Sequence, residues 1–285
     1  MKKFLGLMCV ALPLNAQAQW TLDAEAARIY DNNLSRAQKE SDITRDRAWT
    51  AKAALGRIFS FDNWDTSLRG EARGARQDHY SGLDHVALGV GAGARRKLGL
   101  GLTAPWLAAD ATLLRERYDE NVRDGDRALA SLTLGKRFDE RLDTSISASY
   151  DRRHQAHDLP TGSLSGRPFS VQGRSLVLRG SFALTDQALV FAAAGWRQGD
   201  VTSSTRRNSQ IFRESAAIAN DPAFGPDFIA YRLTGARSEW YSLGLSWALG
   251  RQASINASVL TDRVKPHGDL RYRGDVYSVA LVYRR

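Results

Sequence analysis

Over most of its length the chain repeats with a period of two. Short segments alternate small apolar residues with polar ones, and the connections between them alternate between tight and long. In Leu142-Asp-Thr144-Ser-Ile146-Ser-Ala148-Ser-Tyr150, the partners Asp143, Ser145, Ser147, Ser149 and Asp151 form a wholly polar face. The opposite face is greasy and ends in a ring. Segments 241–249, 253–259 and 277–283 repeat the pattern, the last with Tyr277, Val279, Leu281 and Tyr283 on one side. Successive side chains of an extended strand point to opposite faces, so each segment reads as a β-strand between an apolar and a polar environment. A soluble sandwich alternates too. Here, however, the apolar faces end in Trp or Tyr, side chains suited to a membrane–water boundary.

About twelve strands are expected, over 20–30, 45–60, 66–78, 85–96, 104–118, 126–138, 142–155, 171–184, 188–201, 228–248, 252–263 and 271–284. Short turns are expected near Asp62-Asn63, Leu98-Gly99, Asp139-Glu140, Thr185-Asp186 and Gly250-Arg251. Between them fall the longer connections 31–44, 79–84, 119–125, 156–170, 202–227 and 264–270. A sandwich has no reason to alternate loop lengths so regularly, whereas short turns at one end and long loops at the other belong to a transmembrane barrel. Unpaired strand edges in hydrocarbon cost several kcal/mol per group, so the sheet must close on itself. The fold class is therefore all-β, a transmembrane antiparallel up-and-down β-barrel. The first strand should pair with the last, with nothing left over for a soluble domain or a plug.

The beginning of the chain reads as a secretory leader. Lys2 and Lys3 precede an apolar run from Phe4 to Leu14, and Ala16-Gln17-Ala18 is a small-x-small cleavage motif. The expected division is a signal peptide over 1–18, cut between Ala18 and Gln19, and a barrel domain over 19–285. Cys9, the only cysteine, lies in the leader, so the exported form would have neither a disulfide nor a thiolate metal site. No later window holds the ~18 consecutive apolar residues of a membrane helix. The net charge of +9 would suggest nucleic acid in a cytosolic protein; export removes that partner. The anionic partners that remain are lipopolysaccharide phosphates or an acidic solute.

With its leader, its strand–turn pattern and the C-terminal strand ending Tyr283-Arg284-Arg285, the chain resembles Gram-negative outer-membrane β-barrel proteins over its whole length. The stretch Tyr30-Asp31-Asn32-Asn33 is similar to one common in barrels of that kind. The resemblance implies residence in the bacterial outer membrane and recognition of the last strand by the barrel-assembly machinery. In that class the final strand usually ends on an aromatic residue, and the two arginines after Tyr283 depart from this.

With the apolar faces outward, Asp23, Glu25, Lys52, Arg69, Glu71, Arg73, Asp110, Glu116, Arg137, Asp143, Asp151, Arg153, Arg179 and Asp262 point inward. On a lipid face near the midplane such charges would cost ~2–4 kcal/mol for Arg or Lys. They read either as a selectivity-setting pore lining, for which Lys52 to Asp262 of that series are the candidates, or as ion pairs that fill the interior. Gly89, Gly91 and Gly93 share one strand face without the offset of a nucleotide fingerprint, and read as room for sharp curvature or for a large neighbouring side chain. His79, His85, His154, His157 and His267 all fall at the outer rim. His154 with a nearby Ser or Asp151 is the best hydrolase candidate. The oxygen-rich stretch Asp119 to Asp126 lacks EF-hand spacing and reads as a turn. Arg152, Arg153, Arg206, Arg207, Arg213, Arg232 and Arg237 gather at the outer ends, facing either lipopolysaccharide phosphates or solvent. Loop 202–227 is long enough to fold inward, and its Ile211, Phe212 and Phe224 are apolar. No catalytic residue, cofactor or metal is assigned. The preferred function is a passive or narrow channel for small solutes. The alternatives are a sealed structural or export-accessory barrel and a lipid-modifying rim hydrolase.

Overall fold

The computed structural model describes residues 17–157 and 166–285. The expected leader up to residue 16 and part of the fourth long loop lie outside the described residues. Thirteen strands form one antiparallel sheet: β1 (Gln17–Asp31), β2 (Asp46–Phe61), β3 (Trp64–Gln77), β4 (His85–Lys97), β5 (Trp106–Tyr118), β6 (Gly125–Arg137), β7 (Leu142–Gln155), β8 (Gln172–Ala183), β9 (Ala188–Arg206), β10 (Ala217–Asn220), β11 (Phe228–Ala248), β12 (Ala253–Lys265) and β13 (Tyr272–Arg284). Ala18 and Gln19, the expected cleavage site, fall within β1.

Each strand pairs with its neighbour, β13 pairs with β1, and β9 pairs with β11, so twelve strands close into a cylinder. The thirteenth, β10, lines the outer part of β11 on the edge away from β9. The twelve barrel strands coincide within a few residues with those the alternation predicts. The exceptions are at the ends. The turn expected at Leu98-Gly99 extends over residues 98–105, with Gly99 at φ 145° and Gly101 at φ 85°, a left-handed backbone that glycine adopts without steric cost. β9 continues to Arg206, and the long connection after it holds a one-and-a-half-turn helix α1 (Ser209–Glu214) as well as β10.

The outer surface is apolar and exposed: Leu88 and Val90 are 62 % and 63 % exposed. On a soluble protein such a continuous surface would be an interaction site; here it circles the cylinder. Rings bound it at both ends. Trp20, Phe59 and Trp64 stand at the inner end, covered by the guanidinium groups of Arg57 and Arg96. Tyr30, Trp49 and Tyr277 stand at the outer end, where Arg28 lies 5.1 Å from the Trp49 ring and forms a two-pronged ion pair with Asp78. From Trp20 to Tyr30 is ten residues, about 34 Å along a strand and about 26 Å along the membrane normal at a tilt of about 40°. That is the height of a lipid-facing band.

Candidate functional site

The inner face of the cylinder carries most of the charged side chains of the strands. Lys52, Arg69, Glu71, Arg73, Asp110, Glu116, Arg137, Asp143, Asp151, Arg153, Arg179 and Asp262 all lie on the inward-facing alternation of their strands. They fall into three levels. Near the outer end Arg153 donates from Nε to Glu116 at 2.6 Å, and Arg197 contacts Asp151 at 3.4 Å. At mid-height Arg69 reaches Asp110 at 3.3 Å and the Thr112 hydroxyl at 3.0 Å, Arg73 pairs with Glu71 at 3.0 Å, and Arg179 donates to Ser147 at 3.1 Å. At the inner end Arg137 stands 3.8 Å from Asp143. Lys52 is exposed within the lumen and has no ion-pair partner among the described residues.

Several large inward side chains lie flat against the wall because a glycine on the next strand makes room. A Cβ on Gly91 would stand 2.8 Å from the Arg69 guanidinium carbon. Arg197 lies likewise across Gly173, Trp240 across Gly195, Phe191 across Gly244 and Trp106 across Gly135. Of the glycine face read from the sequence, Gly91 thus has the use expected of it, close approach of a large neighbour, whereas Gly89 abuts the Leu113 backbone carbonyl. Cavities stand at both ends of the lumen. The outer one, about 530 Å³, is bounded by Glu116, Arg127, Asp151, Arg197, Trp240 and Asp262. The inner one, about 470 Å³, is bounded by Asp65, Arg95, Lys97, Trp106, Arg137 and Asp143.

Over the outer cavity sits a cap, contrary to the expectation that no chain remains to plug the barrel. Loop 207–227 folds inward instead of forming a solvated tip. Its Phe224 packs at 5.3 Å on Tyr80 and at 5.7 Å on Phe228, with Leu83 and Leu34 completing an apolar cluster. Ile211 joins a second cluster with Tyr231, Leu233 and Tyr272. Asn208 caps α1 by accepting the backbone N–H groups of Gln210 and Ile211. Asp221, fully buried, holds Arg123 and accepts the Ser204 hydroxyl. Arg123 is stacked between Phe169, at 4.4 Å, and Phe224, at 5.4 Å. The first long loop is stitched in by Ser204 N–H to the Ser35 carbonyl, 2.9 Å, and by the Ser203 hydroxyl to the Arg36 carbonyl, 2.8 Å.

A pocket of about 410 Å³ opens at the rim beside this cap, bounded by Arg152, Arg153, His154, Gln172, Arg232 and Asp200. Arg153, Val171 and Asp200 border both this pocket and the outer cavity, so they are the partition between them.

The remaining sequence candidates are dispersed. His154 faces outward, 2.8 Å from an Arg167 nitrogen, while Asp151 faces the lumen, so those two are not brought together. His79 binds Asp46 and His85 stacks on Tyr118. In the 119–126 stretch Asp124 accepts from Arg117 and from the Tyr118 backbone, and Asp126 accepts from Arg115. Among the described residues no group of His, Cys, Asp and Glu has metal-site geometry. Arg127, Arg197 and Trp240 of the outer cavity were readable from the same alternation as the other inward residues. Arg36, Arg123 and Asp221 are loop residues and carry no periodic signal.

No protein-family model matches the chain, and no curated protein matches it. Among solved structures it is similar to the COG4313 outer membrane channel from Pseudomonas putida F1, at 10 % identity and a TM-score of 0.59, covering 96 % of this chain and 97 % of that one. Looser likenesses extend to the KdgM porin in complex with disordered oligogalacturonate (9 % identity, TM-score 0.43, 92 % and 98 % covered). Another is the Pseudomonas putida toluene transporter TodX (8 % identity, TM-score 0.44, 94 % and 89 % covered). The chain has the fold of an outer-membrane β-barrel.

Proposed function

We propose that the protein is a narrow channel of the bacterial outer membrane for small anionic solutes. The observation that carries the reading is the placement of Arg69, Arg197, Trp240, Phe191 and Trp106 flat over glycines of neighbouring strands. A sealed barrel gains stability by filling its axis with side chains, and twelve strands lie between the packed small barrels and the open large ones. Here five of the largest inward groups are held against the wall, and cavities of about 530 and 470 Å³ stand toward the two ends of the lumen. The similarity to an outer membrane channel supports the same reading.

Solute would approach through the rim pocket, where Arg152, Arg153 and Arg232 outnumber Asp200. It would pass Arg153 into the outer cavity and then descend past the Arg69–Asp110 and Arg73–Glu71 pairs. Guanidinium groups on such a path favour anions electrostatically without binding them tightly, since Arg153, Arg69 and Arg73 each keep a carboxylate partner. Planar-bilayer recording of the purified barrel is the test. Discrete openings with an anion-selective reversal potential in a KCl gradient are expected. A correctly folded barrel that never opens would make it a sealed structural element instead.

A further inference from the structure

We infer that the outward face of β11, β12 and β13 is a docking site for lipid A, the phosphorylated glycolipid of the outer leaflet; this rests on the membrane placement proposed above. Four cations meet there. Arg263 stands directly across from Arg273, and one outward row further on Arg237 stands directly across from Lys265. All four are exposed, and none has a side-chain partner among the described residues. Like charges directly opposite on neighbouring strands repel and destabilise the pairing. Two such pairs in adjacent rows are a cost that the one carboxylate directly across, Glu239 opposite Arg263, offsets only in part, and a multiply charged anion removes the rest.

The acids nearby are few. Glu239 lies across from Arg263 on β11. Asp275, two residues inward of Arg273, is already engaged by the Thr261 hydroxyl at 2.7 Å and by Asn32 at 3.1 Å. Nearer the membrane, an apolar groove of about 670 Å³ runs down the lipid-facing wall between Leu243, Leu245, Val259, Tyr277 and Val279, with Arg47 on its flank. From Tyr277 to Arg273 is four residues, about 13 Å along the strand, enough to seat a sugar headgroup between acyl chains below and phosphates above. Guanidinium forks match phosphate oxygens two at a time. Greasy groove, sugar-sized step and paired cations thus follow one another in the order of the parts of lipid A.

The experiment titrates the delipidated, detergent-purified barrel with bisphosphorylated lipid A, phosphate-free lipid A and inorganic pyrophosphate, reading bound ligand and thermal midpoint. Bisphosphorylated lipid A is expected to bind at least about tenfold more tightly than the phosphate-free form, with pyrophosphate competing only weakly. Arg263→Gln with Arg273→Gln should weaken lipid A binding tenfold or more, whereas Lys136→Gln, an outward cation at the opposite end beside Phe138, should not. Without lipid Arg273→Gln alone, which removes the repulsion and keeps Arg263 across from Glu239, should melt above wild type; with saturating lipid A the order should reverse. Equal binding of the phosphate-free form, pyrophosphate competing as well as lipid A itself, or full affinity in the double variant would each overturn the site. The first two arms use the wild-type barrel and stand even if the variant does not assemble. Heat-modifiable migration in SDS and conductance report separately on the membrane placement and the channel.

Discussion

Arg123, between β5 and β6, grips Asp221, which lies beyond β10, with Nε 3.0 Å from one carboxylate oxygen and Nη2 bonded to the other; the Asp221 side chain is wholly buried. Asp221→Asn leaves the guanidinium without its counter-charge, and breaking such a pair from one side costs about 3–5 kcal/mol. That cost falls on the capped state, so the cap should open more often. Proteolytic nicking within 207–227 and longer open dwell times in bilayers are the readouts. Unchanged protection would show that the apolar clusters alone hold the cap.

Gly89 and Gly91 should respond differently to a methyl group. At Gly91 a Cβ meets the far end of the Arg69 side chain, which swings aside at the loss of its Asp110 and Thr112 contacts. At Gly89 it meets the Leu113 carbonyl of the backbone, which has no room to yield. Gly89→Ala should therefore destabilise the barrel by about 1–3 kcal/mol, the range for overpacking, and lower the temperature of heat-modifiable migration well beyond Gly91→Ala. Gly91→Ala should instead alter single-channel conductance. Equal effects on stability would contradict this division.

Arg69→Glu combined with Arg73→Glu reverses two charges at mid-height, where Asp110 and Glu71 already stand. The reversal potential should move toward cation selectivity. An unmoved potential would mean that ions bypass this level.

Acid sensitivity at the inner end centres on Asp139, in the turn between β6 and β7. Its carboxylate accepts the backbone N–H groups of Arg141 and Leu142, both at 2.7 Å, and these bonds hold its pKa below the usual carboxylate range. A lowered folded pKa contributes stability above the unfolded value of about 3.9 and loses it as pH falls through the folded one. Asp139→Ala should thus be less stable than wild type at pH 7, with the gap narrowing below about pH 4. A gap of the same size at both ends of that range would assign the effect to packing.

Period-two patterning made the cylinder legible because each strand meets lipid on one side and water on the other, a contrast that Leu142 to Tyr150 displays in nine residues. It also placed the inward charges, since a side chain two positions from a known one shares its face. The cap was not legible. Phe224 and Ile211 have partners on other loops and strands, Tyr80 and Leu83 in one case and Tyr231 and Tyr272 in the other, and no local period records them. Their presence as apolar residues in a polar stretch was the only sign. The glycines announced a close approach, yet which side chain arrives depends on strand register, and register appears only when the sheet is assembled.

The contact of Phe224 with Tyr80 joins the β9–β11 connection to the β3–β4 connection, and in a ring of twelve strands these lie half a circumference apart. Lateral pressure in a bilayer tends to flatten a hollow hoop into an ellipse. A crosspiece fixed to opposite points of the hoop resists that flattening along its own axis, so releasing the cap would soften the wall as well as uncover the mouth.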